Sequence, residues 1–195
     1  MCGIHGQALL QIMKIRSFLV IFAMSSLLHS EENFGIVVHG GAGVMSDLSE
    51  ERQQQIHKKI QETVSEAYEI LEKGGSSLDA VELAVSMLED SPLFNAGRGS
   101  VYNSDEVQEM DASIMDGKNR LIGAVASVSI VKNPIKLARK VAEETKHVLL
   151  VGEGAERFAK DIGVDIVKRN YFYHEERLKR LHNSKRKTSK LNEDS

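Results

Sequence analysis

A short run of β-branched residues that breaks off at a cluster of glycines constrains this chain more than any other feature. Phe34-Gly-Ile-Val-Val38 is followed at once by His39-Gly-Gly-Ala-Gly43. An apolar extended segment must therefore hand over to a loop with little side-chain bulk, as a buried strand feeding a loop does. Glycines let backbone N–H groups approach a ligand closely, and consecutive amides in such a loop form a concavity for an anion. Taken alone, the loop fits a tight strand-to-helix turn without a ligand equally well.

The chain downstream alternates between the two periodicities. Between Leu48 and Lys73, Ile56, Ile60, Val64, Ala67, Ile70 and Leu71 recur at three- and four-residue steps among charges, which predicts one amphipathic helix. Gly74-Gly75 ends it, with the second glycine predicted to supply the positive φ. Ser76 or Ser77 can cap a second helix striped by Leu78, Val81, Val85 and Leu88. Pro92, Ala96, Gly97 and Gly99 place residues 90–100 in a loop. Met110, Ala112 and Ile114 alternate with polar residues, Asp116-Gly117 makes a turn, and 121–131 is again strand-like, so a hairpin is predicted. Asn133-Pro134 supplies an N-cap and a first-turn proline for a helix to about Thr145. A strand over 147–151, a helix from Gly152 to Ala159 and a short strand over 164–167 follow. Interleaved strands and helices define a mixed class, α/β or α+β.

Composition narrows the function. At 195 residues, 42% of them hydrophobic, the chain suits one domain with a real core. A net charge of -3 and a pI of about 6.2 give no reason to expect a nucleic acid or an acidic surface as partner. The single cysteine, Cys2, excludes disulfide frameworks and cysteine zinc sites. Lys14 and Arg16 precede the apolar run Ser17 to Leu28, which is too short to span a bilayer and reads as a secretory signal. Met13 is a candidate start, and a membrane anchor or a packed N-terminal helix are the other readings of the segment. With a signal the protein is exported, periplasmic or secreted, and carries no membrane segment when mature; without one it is cytoplasmic. Residues 1–30 are thus assigned to the signal, 31–178 to the folded domain and 179–195 to a basic tail. Six Lys or Arg against Glu193 and Asp194 predict a tail that starts helical and becomes disordered.

Two loops carry candidate chemistry. The first is His39 to Gly43. Its likeness to a lipase oxyanion loop fails, because no G-x-S-x-G elbow is present. The second is Asn95-Ala-Gly-Arg-Gly99, where a side-chain amide can donate to an oxygen and accept from an amine. More often such an Asn bonds its own backbone in a turn. Gly152-Glu-Gly154 lacks a third glycine, and no G-x-x-x-x-G-K-[ST] loop exists, which argues against a nucleotide-binding domain. The histidines have no zinc spacing. Asp111 and Asp116 fall on opposite faces of a strand and its turn; one of them is a candidate to line a site.

In order along the chain, Gly35-Ile-Val-Val-His-Gly-Gly-Ala-Gly43, Ser77-Leu-Asp-Ala-Val-Glu82, Pro92-Leu-Phe-Asn-Ala-Gly97, Met110-Asp-Ala-Ser-Ile-Met-Asp-Gly117, Asn133-Pro134 and Val151-Gly-Glu-Gly-Ala-Glu156 resemble the α half of plant-type L-asparaginases, also called isoaspartyl peptidases. These are threonine-type hydrolases of the N-terminal-nucleophile class. The resemblance implies an α+β fold, the αββα four-layer sandwich, of which this chain holds the α half. It implies an autocleaving precursor and hydrolysis of L-asparagine or of β-aspartyl dipeptides by the threonine that cleavage exposes, its α-amine serving as base. The family's Gly-Thr-x-Gly motif is not found here. The partner is therefore a β subunit bearing that threonine, in a dimer of αβ units, and the isolated chain is expected to be inactive and poorly soluble. By the same resemblance Asn95 orients the nucleophile, and the Gly40-Gly41 backbone lines its back. No catalytic cofactor is implied. A structural sodium ion is, held mostly by backbone carbonyls of Leu88, Glu89, Ser91, Phe94, Ala96 and Arg98. The alternatives are a glycosylasparaginase-like amidase and a non-catalytic binding module that keeps the fold.

Overall fold

The computed structural model describes residues 34–41 and 45–193. The chain divides into two units, Met1–Phe34 and Gly35–Ser195, and the second is described below. The signal segment lies outside the described residues. Among those described, no helix is long and apolar enough to cross a membrane.

Helix α1 spans Glu50–Glu72. Ser49 caps it, its side chain accepting from the Arg52 N–H at 3.3 Å. At its end the two glycines exchange the predicted roles. Gly74 takes the left-handed φ of +78°, whereas a β-carbon on Gly75 would lie 2.5 Å from Ile70 Cγ2 and 2.8 Å from the Ile70 carbonyl oxygen. Gly75 is thus needed for close approach, its N–H donating to that oxygen at 2.8 Å. Helix α2, Ser77–Glu89, starts from a reciprocal capping box between Ser76 and Asp79. Ala67 of α1 and Ala80 and Ala84 of α2 are buried together, small side chains that let the two helices pack closely.

Strands β1 (Met110–Asp116) and β2 (Leu121–Val128) form the expected hairpin. Asp116 shapes its turn, Oδ1 accepting from the Lys118 N–H at 2.9 Å and Oδ2 from Asn119 Nδ2 at 2.6 Å. Helix α3 (Pro134–Glu144) crosses over to β3 (Leu149–Val151), which pairs parallel with β2 to give the order β1-β2-β3. Helix α4 (Gly152–Asp161) follows. In place of a strand at 164–167 there is one antiparallel bridge, Val131 to Ile166. The C-terminal segment forms helix α5 through Glu175–Glu193, well past the point where its charge predicts disorder. Glu175–Lys179 pairing at 2.6 Å, one turn apart, supports its first turns.

One face of the sheet is the core. Ile114 and Val125 pack with Ile135, Leu137, Ala138 and Val141 of α3 and Ala155 and Ala159 of α4. Gly123 permits this closeness, since a β-carbon there would lie 2.1 Å from the Ala138 carbonyl oxygen. The other face is apolar and open. Met115 and Ile122 sit opposite each other and are 69% and 45% exposed, and Leu149 and Val151 on β3 are about as open. Residues 34–41 form no ladder with any described strand, so the predicted strand does not form here. Its burial still alternates: Ile36 and Val38 pack on the helices, whereas Val37 is 96% exposed. The segment has a sheet's side-chain pattern with no strand among the described residues bonded to it.

Candidate active site

The two candidate loops meet at the open end of α1 and α2. A β-carbon on Gly40 would lie 3.0 Å from Ile60 Cδ1 and 3.2 Å from Phe94 Cε1, so the Gly40 backbone rests against the ring that precedes Asn95. Phe94 is buried with Ile56 and Leu88, and Val38, Leu48 and Ile60 pack on that group. Hydrophobic burial thus brings Gly40 against Phe94, the neighbour of Asn95, across more than fifty positions of sequence. Gly41 takes φ +102°, a conformation that disfavours a β-carbon, and its N–H donates to His39 Nδ1 at 3.1 Å. Residues 42–44 of the glycine loop lie outside the described residues.

Asn95 is exposed, and its Oδ1 accepts from the Val101 N–H at 2.9 Å. The ordinary turn role of asparagine is met by this oxygen alone. The oxygen is engaged by backbone, and the amide hydrogens have no partner among the described residues, so the group is presented as a donor. The loop holding it is stiff. Gly97 takes φ +48°, and its β-carbon would fall 2.2 Å from the Glu89 carbonyl oxygen; that of Gly99 would fall 2.0 Å from the Phe94 oxygen. Gly99 N–H donates to the Ala96 oxygen at 3.0 Å and Ser100 N–H to the Gly97 oxygen at 3.1 Å. Gln108 Nε2 fixes the far side by donating to the Ser100 oxygen at 2.8 Å.

The residues implied for a sodium ion, Leu88, Glu89, Ser91, Phe94, Ala96 and Arg98, all fall on the end of α2 and this loop. The donor chemistry fits: the Glu89 and Phe94 carbonyl oxygens crowd the two glycines, and hard neutral oxygens suit an alkali cation. Among the described residues no group of three or more His, Cys, Asp or Glu could hold a metal ion by side chains. Arg98 contributes packing as well, its guanidinium lying 5.4 Å from the centre of the Tyr171 ring.

Glu89 has a structural role that the periodicity conceals. Its side chain is 3% exposed, and Oε1 accepts from the Ile135 N–H at 3.0 Å, capping α3 from another helix. Asn133, the predicted cap, instead sends Nδ2 to Asp90 Oδ1 at 3.3 Å. Burial pushes the Glu89 carboxyl up to about 7, against the lowering effects of the Ile135 N–H and the Asn133 amide. The available signal was its place four residues after Val85, on the apolar stripe of α2. Asp111 and Asp116 do point to opposite faces: Asp111 is exposed and accepts from the Ser127 N–H at 2.8 Å, and Asp116 is buried in its turn. Neither meets Asn95 through any hydrogen bond.

With this geometry in hand, comparison with known proteins identifies the family. Residues 32–195 match the family described as asparaginase, and the chain belongs to it. It is 53% identical over 129 residues to the isoaspartyl peptidase/L-asparaginase of Rattus norvegicus, covering 66% of this chain and 38% of that protein. To the plant-type L-asparaginase of Pyrococcus furiosus it is 56% identical over 128 residues, 66% of this chain and 41% of the other. The isoaspartyl peptidase/L-asparaginase of Homo sapiens is 46% identical over 150 residues, 77% of this chain and 48% of that one. The chain spans less than half the length of each of these relatives.

Proposed function

We propose that this chain is the α half of an autocleaving amidohydrolase that converts L-asparagine to aspartate and ammonia and hydrolyses β-aspartyl dipeptides. The match of residues 32–195 to the asparaginase family is the observation that carries the reading. Two structural features support it. The Gly40 backbone rests against Phe94, the residue before Asn95, whose amide hydrogens have no partner among the described residues, and the outer sheet face through Met115, Ile122, Leu149 and Val151 is apolar and open. In this reading a second polypeptide lays its own sheet on that face, giving the αββα sandwich, and brings a threonine to the N-terminus. Burying such a face is favourable by about 25 cal/mol per Å².

The chemistry divides between the halves. The threonine hydroxyl attacks the side-chain amide carbon while its own α-amine takes the proton; the tetrahedral adduct then breaks its C–N bond, the protonated amine returning that proton to the leaving ammonia, and water hydrolyses the resulting acyl-enzyme to release aspartate. This chain's part is to position. Asn95 Nδ2 donates to the threonine, and the Gly40–Gly41 backbone, free of side chains, lets it approach. A sodium ion on the carbonyls of Leu88, Glu89, Ser91, Phe94, Ala96 and Arg98 would rigidify the Asn95 loop, and no catalytic cofactor is needed. The working unit is a dimer of αβ pairs, exported if residues 1–30 are a signal. Co-expression with a threonine-bearing half tests the reading: ammonia release from L-asparagine is expected, and its absence from an intact αβ complex with Asn95 present counts against it.

A further inference from the structure

Glu106 stands in left-handed backbone, φ +61°, where a β-carbon is disfavoured and glycine is not. It forms the tip of a tight turn: Asn103 N–H donates to the Val107 oxygen at 2.9 Å, Glu106 N–H to the Asn103 oxygen at 3.1 Å, and Asn103 Oδ1 accepts from the N–H groups of Asp105 and Val107. The turn needs no carboxylate. What the carboxylate supplies is a hold on α5, since Oε1 lies 3.0 Å from His182 Nε2 and 3.4 Å from Lys185 Nζ. Those two residues are one helical turn apart and face the same way.

Little else fastens that helix. At its root the His174 N–H donates to the Tyr102 hydroxyl at 3.2 Å. Among the described residues, none from Glu175 onward belongs to an apolar core group. Tyr102 and Glu106 also line, with Gln108, Arg169 and Tyr173, a cavity of about 240 Å³ at the foot of the helix. Arg177, Leu178 and Leu181 are half-buried, so burial holds the start of α5 lightly, and beyond them the exposed charge contact at His182 and Lys185 is the hold. Such contacts are individually weak and are screened by salt.

We propose that α5 is a detachable strap, clasped to the body by Glu106 through His182 and Lys185, and that release of the clasp offers its Lys- and Arg-rich run to proteases. The strained backbone at Glu106 is retained because glycine there would leave the strap loose. This proposal is independent of the enzymatic reading, since it concerns the chain alone.

The test is limited trypsin digestion of the full chain with amide exchange across 176–189, following cleavage after Arg180 and Arg186, which every variant keeps. In the unmodified chain, raising salt from low to about 0.5 M should speed cleavage roughly two- to five-fold as screening loosens the clasp. Glu106→Gly should cleave at the fast rate already at low salt and respond little to added salt, with protection in β1 and β2 unchanged. The double variant His182→Ala/Lys185→Gln should behave likewise and carries the test if the turn substitution disturbs the body. Cleavage at the unmodified rate and salt dependence in the double variant overturns the proposal.

Discussion

Replacing Gly99 by alanine probes the Asn95 loop most sharply. The new β-carbon would sit 2.0 Å from the Phe94 carbonyl oxygen and 2.9 Å from that of Pro92. Real β-carbons essentially never come within 3.0 Å of such an atom, so the loop must give by about 1 Å. Backbone carbonyls cannot rotate aside as a side chain can, and overpacking of this kind costs about 1–3 kcal/mol, sometimes more. Gly97→Ala adds left-handed strain to an overlap of the same kind, with the Glu89 oxygen at 2.2 Å, for a total of about 2–5 kcal/mol. Gly117→Ala is the control: a β-carbon there meets nothing within 4 Å, and the change should stay within about 0.5 kcal/mol. For a chain of this size, thermal melts should place Gly99→Ala and Gly97→Ala about 3–15 °C below the parent, with Gly117→Ala level with it. If Gly99→Ala melts with the parent, the Phe94 and Pro92 carbonyls do not crowd Gly99 as described, and the stiffness argued for the Asn95 loop loses its basis.

Other perturbations separate stability from function. The raised Glu89 carboxyl means that the folded chain binds an extra proton between the ordinary value of 4.5 and about 7. The contribution of Glu89 to stability is then fully present below the lower value and falls as pH rises through the window, by about 3 kcal/mol in all; urea melts at pH 5 and pH 8 should show this, and Glu89→Gln should flatten it. Arg139 joins α2 to α3 through Asp79 at 2.8 Å and Glu82 at 3.1 Å, with Glu143 at 2.7 Å on its own helix. Arg139→Met should cost roughly 1–2 kcal/mol by urea melt, less at high salt. Asn95→Ala, at an exposed position with one backbone hydrogen bond, should lower stability by no more than about 1 kcal/mol. It should nevertheless abolish ammonia release in an assembled αβ enzyme.

The helices and the hairpin were legible because their signals are local. Ser76 marks a helix start, the three- and four-residue spacing from Ile56 to Leu71 marks a helix, and the two-residue alternation from Met110 to Ile114 marks a strand. What was not legible depends on contacts distant in sequence. The segment 34–38 has a strand's pattern, but a strand exists only with a partner, and none of the described strands pairs with it. Gly74 and Gly75 are indistinguishable as letters; the position of the Ile70 side chain and carbonyl decides which needs close contact and which takes positive φ. Asn133-Pro134 announced the start of α3 correctly, but its cap comes from Glu89, 46 residues earlier. At the site, Asn95 and Gly40 were singled out from their glycine-rich loops, and the resemblance supplied their roles. The contact of Gly40 with Phe94, next to Asn95, is a product of burial that spacing alone does not encode. Nor could periodicity foresee helix through the basic tail, where pairing along the helix and the Glu106 contact offset the poor composition.

The central claim is that Asn95 and the open sheet face await a second polypeptide carrying an N-terminal threonine. Purifying this chain together with such a half, and following ammonia release from L-asparagine in the pair and in its Asn95→Ala variant, tests that directly. A stable complex that releases ammonia only when Asn95 is intact is the predicted result. A stable complex that leaves both L-asparagine and β-aspartyl dipeptides untouched, or that works equally well without the Asn95 amide, contradicts it.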